Sequence, residues 1–201
     1  MSRENCLAAL ASEPPETIAE QLHKATPECC GCEAYQLGDT SPGRVADNEL
    51  LNLIISDPNS LLADGMLNPI MLVQLDRSGV SVLRDCAADD EFALTLSELN
   101  ERSAANGRAR YFHGVCAFAA SMVRYDQGTR LVGIYDTSLP KKPNHADMIA
   151  PDIHAGTDAS KTQKEKDRRK RQKRVIELIG PCLIPARQFR AGAFVKFARS
   201  L

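Results

Sequence analysis

Apolar residues recur at helical spacing in some segments of this chain and as short uninterrupted runs in others. The first helical pattern, over 16–25, places Ile18 and Leu22 four positions apart and follows two prolines, which favour the first turn of a helix. The apolar stretch over 47–55 predicts a second helix, which begins with an aspartate N-cap and is buried on most sides. Residues 26–44 are rich in Cys, Gly and Pro without a clear period, so we expect a loop there.

Two strand pairs are predicted in the middle of the chain. The apolar runs 70–75 and 80–83 flank the turn sequence Asp-Arg-Ser-Gly, which is the pattern of a hairpin. Segments 111–118 and 129–136 are predicted to pair in the same way, with the reversal at an Asp-Gln-Gly sequence. Residues 119–124 fit either an extension of the first strand or a helical turn.

Two longer helices are predicted further along. The helix over 89–105 opens with acidic residues, which favour the N-terminal end of a helix, and closes at an Asn-Gly pair. The last long helix runs from Ala159 to the Gly-Pro pair at 180–181. Between them, 140–158 is polar and rich in proline, which predicts a loop with one short helical turn. The segment 189–197 fits a strand or a helix.

These elements do not alternate as strand and helix in the manner of a doubly wound sheet. The predicted class is therefore α+β, with a mixed or antiparallel sheet built from two hairpins, packed helices and a basic C-terminal helix. Residues 1–44 would form an N-terminal helix and a Cys-containing loop, and 45–158 the α+β core. Residues 159–201 would supply the basic helix and a C-terminal segment packed on that core, in one domain overall.

Charge is sorted by position along the chain. Residues 1–160 carry 12 basic and 23 acidic side chains, a net charge of -11, whereas 161–201 carry 13 basic and 3 acidic, a net charge of +10. The stretch 161–174 alone contains nine basic and two acidic side chains. A helix that is basic on every side cannot be packed in a core, so it projects or lies on an oppositely charged surface.

This helix predicts an intracellular, non-enzymatic accessory protein that binds nucleic acid or an acidic protein partner. The basic stretch has no apolar face of its own, which disfavours a membrane surface. A structural alternative is that the helix is neutralised by the protein's own body, through residues such as Asp85, Asp89, Asp90 and Glu91. The residues expected to supply the binding contacts are Lys164, Lys166, Arg168, Arg169, Lys170, Arg171, Lys173 and Arg174.

A second functional hypothesis rests on polar residues between 136 and 154. Asp136 ends an apolar strand, His145 and Asp147 are separated by one residue, and His154 follows. A histidine with an orienting carboxylate can act as a base, which predicts a hydrolase or transferase acting on a nucleotide or nucleic acid. The same sequence also fits a helix start, with the asparagine at 144 as N-cap and Asp147 in the first turn.

The predicted hairpin register argues against one further pairing. With the reversal centred on Gln127, His113 and Asp136 fall on opposite faces of the sheet, which disfavours a dyad between them. His113 is then expected to be an ordinary sheet residue.

Seven cysteines are an odd number, which argues against a fully paired secreted framework. Cys29, Cys30 and Cys32 supply one close thiolate pair, whereas structural zinc sites usually use two, so free thiols are favoured over zinc. We expect no metal and no cofactor. The absence of 18 consecutive apolar residues and of a secretory signal predicts a cytoplasmic protein without a membrane segment; the sequence leaves the oligomeric state open.

Overall fold

A six-stranded antiparallel sheet lies at the centre of the computed structural model, which describes residues 2–25, 30–56, 59–154 and 157–188. The strand order is β6-β7-β2-β1-β3-β8, and β4 and β5 form a separate small hairpin. The strands are β1 (Leu50–Ile55), β2 (Val80–Arg84), β3 (Gly114–Ala119), β4 (Tyr125–Asp126), β5 (Thr129–Arg130), β6 (Gly133–Asp136), β7 (His145–Ile149) and β8 (Leu183–Pro185). The helices are α1 (Arg3–Leu10), α2 (Ile18–Ala25), α3 (Asp89–Ala105), α4 (Ala120–Arg124) and α5 (Lys161–Ile179). The predicted α+β class with an antiparallel sheet is confirmed.

The second predicted helix is wrong, because most of 47–55 is the inner strand β1. Its sequence Leu-Leu-Asn-Leu-Ile-Ile is almost continuously apolar, which suits a strand covered on both faces as well as a buried helix. β1 pairs with β2 on one side and β3 on the other. The pairing partners, which come from segments distant in sequence, decide between the two conformations.

Both predicted hairpins have the wrong partners. The segment 70–75 forms a 3₁₀ turn at Pro69–Leu72, and β2 pairs with β1 and β7 instead. β3 pairs with β1 and β8, while β6 pairs with β7 at the other end of the sheet. The predicted reversal is confirmed as the β4–β5 hairpin, where Gln127 and Gly128 adopt the positive φ angles of 49° and 79° that such a tight turn requires. Residues 120–124 form the helical turn α4.

The helices α2, α3 and α5 agree with the sequence pattern. α2 follows a 3₁₀ turn at Pro15–Thr17, α3 ends at the Asn-Gly pair, and α5 begins after Ser160, whose hydroxyl accepts a hydrogen bond from the Gln163 amide. The expected loop over 140–158 contains strand β7, and α1 was not predicted. The segment 189–197 lies outside the described residues. Among the helices of the described ranges, none has both the length and the apolar character needed to cross a membrane.

Each face of the sheet has its own packing partners. On one face, Leu53, Phe118 and Met148 pack with Val175 and Ile179 of α5 in the largest apolar cluster. On the other face, α1 and α2 cover the β6–β7 end of the sheet, and Phe92 of α3 packs edge-on against Phe112. The β2 and β7 residues between these two patches are polar, and they border a cleft.

A disulfide between Cys6 and Cys32 joins α1 to the 3₁₀ turn at Gly31–Ala34. The expectation of a free thiol is therefore wrong for Cys32, which is also not available as a zinc ligand. Both sulfurs lie inside the apolar cluster that also contains Leu22 and Tyr135. Cys29 lies outside the described residues.

Candidate functional site

One face of α5 is held on the body of the protein by a buried ion pair. Arg171 Nη1 donates to Asp76 Oδ1 at 2.5 Å, and the Arg171 side chain is 8% exposed. Gln172 Nε2 donates to Asp76 Oδ2 at 3.4 Å, and Arg168 Nε lies 3.9 Å from the same oxygen. Burial raises the pKa of Asp76, although Arg171 and Arg168 act to lower it. Desolvation therefore outweighs the attraction of the two guanidinium groups, as is common for buried pairs.

A second anchor connects α5 to the β4–β5 hairpin. Arg174 donates from Nε and Nη2 to the two oxygens of Asp126, each at 2.8 Å, and these hydrogen bonds lower the pKa of the Asp126 carboxyl. The body thus neutralises part of the helix, but through Asp76 and Asp126. Within the described residues, the partners suggested from the sequence, Asp85, Asp89, Asp90 and Glu91, make no ion pair with α5.

The opposite face of α5 is in solvent and basic. Lys166, Arg169, Lys170 and Lys173 are exposed and occupy positions i, i+3, i+4 and i+7, which lie on one side of a helix. We call these four residues the basic stripe. Arg169 and Lys173 pair with glutamates of the same helix at 2.9 and 3.9 Å, in exposed contacts that hold the cations weakly.

The eight cations predicted to bind a partner are therefore divided by the fold. Arg168, Arg171 and Arg174 are directed to the body, and the basic stripe is directed to solvent. Lys164 is exposed but borders a smaller cavity of about 250 Å³ beside His154. The predicted alternatives of an exposed helix and a packed helix each describe one side of α5.

His145 and Asp147, the central pair of the enzyme hypothesis, lie on the same face of β7. Thr137 Oγ1 donates to Asp147 Oδ2 at 2.8 Å and lies 3.0 Å from His145 Nδ1. Ser81 Oγ on β2 donates to Asp147 Oδ1 at 3.0 Å, and His145 Nε2 is 3.9 Å from that oxygen. The alternative of a helix start is wrong, because the asparagine at 144 precedes a strand and its side-chain amide donates to Glu91.

The structure places the other two residues of that hypothesis elsewhere. Asp136 pairs in register with Ala146, so its side chain is on the opposite face of the sheet from His145. Asp136 is fully buried, and its Oδ2 accepts from the Leu37 amide at 3.0 Å. His154 lies beside α5, with Nε2 3.1 Å from Asp167. The structure does not assemble the four residues into one site.

A cleft of about 570 Å³ separates α3 from the face of the sheet that carries His145. Asn52, Ser81 and His145 lie along its floor, and the α3 residues Glu98 and Arg102 line its wall. Lys142 Nζ donates to Glu98 at 2.6 Å, which lowers the pKa of that carboxyl. Sequence reasoning missed this cleft; the available signal was one asparagine, at 52, in an otherwise apolar strand.

One group of described residues has donor atoms close enough for a metal. Glu49, Asp85 and Cys86 each place a ligand atom within 4.8 Å of the others. Both Glu49 oxygens already accept from Arg84, and the Cys86 thiol donates to the asparagine at 144 at 2.7 Å. Burial also raises the pKa of that thiol. Two of the three donors, Glu49 and Cys86, are already engaged within the fold, so we do not propose a metal centre here.

Comparisons of this chain with protein-family models, curated proteins and solved structures gave no match. Functional inference therefore rests on the stripe and the cleft.

Proposed function

We propose that this chain binds a polyanion, with nucleic acid as the favoured ligand, through the basic stripe of α5. The observation that supports this is the sorting of cations by helix face: the arginines of one face are bound to Asp76 and Asp126, while four cations of the other face remain in solvent. A helix with a purely structural role needs the arginines that pair with Asp76 and Asp126, but it does not need the four exposed cations of the basic stripe.

The dimensions of the stripe suit a phosphate backbone. At 1.5 Å per residue, Lys166 to Lys173 covers about 10 Å along the helix axis. One strand of a duplex presents roughly three phosphates over that length. The composition includes no Trp and few aromatic residues, which favours contact with the backbone over stacking on bases.

Salt dependence and a charge-matched control test the proposal. Lys166→Gln, Lys170→Gln and Lys173→Gln together remove three stripe charges. Lys24→Gln, Arg44→Gln and Lys141→Gln together remove three exposed cations from other surfaces.

Binding to a 20-base-pair duplex and to single-stranded RNA is measured by fluorescence anisotropy between 50 and 200 mM salt. The unmodified chain should show a log–log slope of about -2.7 to -3.6 on the duplex and about -2.1 to -2.8 on the single strand, as three or four phosphate contacts require. The stripe variant should lose at least tenfold in affinity, and the control variant should match the unmodified chain. If both triple variants lowered the affinity equally, the effect would be one of net charge and the proposal would fail. Binding to poly-glutamate but to neither nucleic acid would indicate an acidic protein partner instead.

A hydrolase or transferase acting on a nucleotide or nucleic acid is the second proposal. It is favoured by the proximity of Asp147 to His145, which lies on the cleft floor. This site includes Ser81 and Thr137, whose hydroxyls donate to the Asp147 carboxylate. Asp136 and His154, which the sequence-based hypothesis included, are not part of it. Turnover of nucleotide substrates that His145→Gln abolishes, with folding preserved, would support it. Equal turnover in that variant would refute it.

A cytoplasmic location forms part of the first proposal, and the Cys6–Cys32 disulfide provides its test. Disulfides are rare in the cytosol, where thiols are kept reduced. Rapid alkylation of intact cells followed by mass spectrometry distinguishes the two states. Alkylated Cys6 and Cys32 support the cytoplasm, and a protected pair indicates an oxidising compartment.

A further inference from the structure

We infer that the cleft between α3 and the sheet binds a small organic phosphate monoester with an apolar or aromatic body. This site is independent of the polyanion proposal, because the cleft and the basic stripe share no residue. The cleft volume of about 570 Å³ lies within the range of small-molecule pockets. The inference rests on the floor, the basic rim and the exposed apolar lining of the cleft.

The floor presents an unused hydrogen-bond donor. Asn52 is 1% exposed, and its Nδ2 has no hydrogen-bond partner among the described residues. A buried amide donor without a partner is unfavourable, so such a group in a cleft indicates an acceptor that arrives with a ligand. The strand register aligns Asn52 with Leu83, and Leu83 with His145, so the two polar residues lie in one row across three strands.

The hydrogen bonds around His145 determine which ring nitrogen a ligand can use. Nδ1 lies 3.2 Å from the Thr137 carbonyl oxygen and 3.0 Å from Thr137 Oγ1. The carbonyl can only accept, and the Thr137 hydroxyl hydrogen is already donated to Asp147. Nδ1 therefore carries a hydrogen, which leaves Nε2 to accept from a protonated phosphate or, on an imidazolium, to donate to a phosphate oxygen.

The rim of the cleft is cationic. Arg102, whose side chain is 77% exposed, and Arg108, which is also exposed, both line the cleft. Arg110 is held on the wall by hydrogen bonds to Ser56 and Ser103. Among the described lining residues, the acidic side chain is Glu98, and Lys142 already neutralises it at 2.6 Å. The planar guanidinium groups of the rim match the paired oxygens of a phosphate.

The cleft is also lined by exposed apolar side chains. Ile70 is 55% exposed, and Val73 and Leu139 are exposed to similar extents; all three line the cleft. Exposed apolar side chains that form a contiguous patch are typical of ligand-binding grooves. A ligand that contacts both the arginines and these apolar side chains carries a charged head and a ring or chain, which favours an organic monoester over inorganic phosphate.

Calorimetric titration with 1-naphthyl phosphate at pH 6, near the second pKa of a phosphate monoester, where the monoanion and the dianion are both present, tests the inference. Inorganic phosphate and 1-naphthol probe the head and the body separately, and adenosine 5′-monophosphate tests a nucleotide as the source of the phosphate. Arg108→Gln removes a rim cation, and Arg44→Gln is the control with the same change in net charge on another surface.

We expect 1-naphthyl phosphate to bind at least tenfold more tightly than either fragment. Arg108→Gln should weaken it at least fivefold, whereas Arg44→Gln and the stripe variant should leave it unchanged. Arg102→Gln serves as a second exposed rim variant with the same expected direction. Equal binding of 1-naphthol and its phosphate would overturn the inference, as would full affinity in both rim variants or no binding of any monoester at millimolar concentration. Loss of nucleic-acid binding in the stripe variant, with full affinity for 1-naphthyl phosphate, would support two separate sites.

Discussion

Reduction of the Cys6–Cys32 disulfide is expected to lower the free energy of unfolding by several kcal/mol. The bond joins residues 26 apart in sequence, and loop-closure entropy for such a span corresponds to about 3.5 kcal/mol at 25 °C. Both cysteines are fully buried among apolar side chains, including Leu22 and Leu37. The reduced thiols can stay in the same cluster, so the loss comes from the greater freedom of the unfolded chain rather than from broken packing.

Urea unfolding followed by far-UV circular dichroism measures this change with and without a phosphine reductant; the chain contains no Trp to serve as a fluorescence probe. The double variant Cys6→Ala, Cys32→Ala should be about as stable as the reduced chain and should not respond to reductant. Cys86→Ala removes an exposed free thiol and controls for effects of the other cysteines. If mass spectrometry shows the bond lost while the unfolding midpoint stays constant, the entropic explanation is refuted.

Two further predictions concern charged pairs. Asp76→Ala leaves the buried Arg171 guanidinium without its partner and should lower the free energy of unfolding in urea by about 3–5 kcal/mol. The double variant Asp76→Leu, Arg171→Met should be close to neutral. A double variant as unstable as the single one would contradict this. The pKa of Glu98 is lowered in the folded state, which therefore binds this proton more weakly than the unfolded state does. The pair with Lys142 stabilises the fold above the ordinary pKa of 4.5, and this stabilisation is lost as the pH falls below that value. The stability difference between the unmodified chain and Glu98→Gln should therefore shrink below pH 4.5, and a constant difference from pH 7 to 3.5 would refute the assignment.

Helices with clear end signals were predictable from sequence. The acidic first turn and Asn-Gly end of α3, and the uninterrupted helix formers of α5, act within one segment and need no distant partner. The strands β1 and β7 were not predictable. Their conformation depends on pairing with segments far away in the chain, and the local signals, an aspartate N-cap at 47 and an asparagine at 144, favoured helices.

The candidate site was predictable only in its parts. The positive charge of α5 was evident, but which cations remain free depends on Asp76 and Asp126, which lie far from the helix in sequence. The cleft is assembled from five separate segments, so no short motif marks it. The disulfide likewise joins two cysteines whose pairing cannot be deduced from spacing alone.

The two anchors of α5 also fix the rotation of the helix about its axis. Each residue turns the helix by about 100°, so one residue inserted between the stripe and Val175 would swing the lysines towards the apolar cluster without changing the charge. Substitution of one exposed cation by another leaves both faces intact. We therefore expect the phase of this helix to matter more than its number of positive charges, because net charge does not distinguish an aligned helix from a misaligned one.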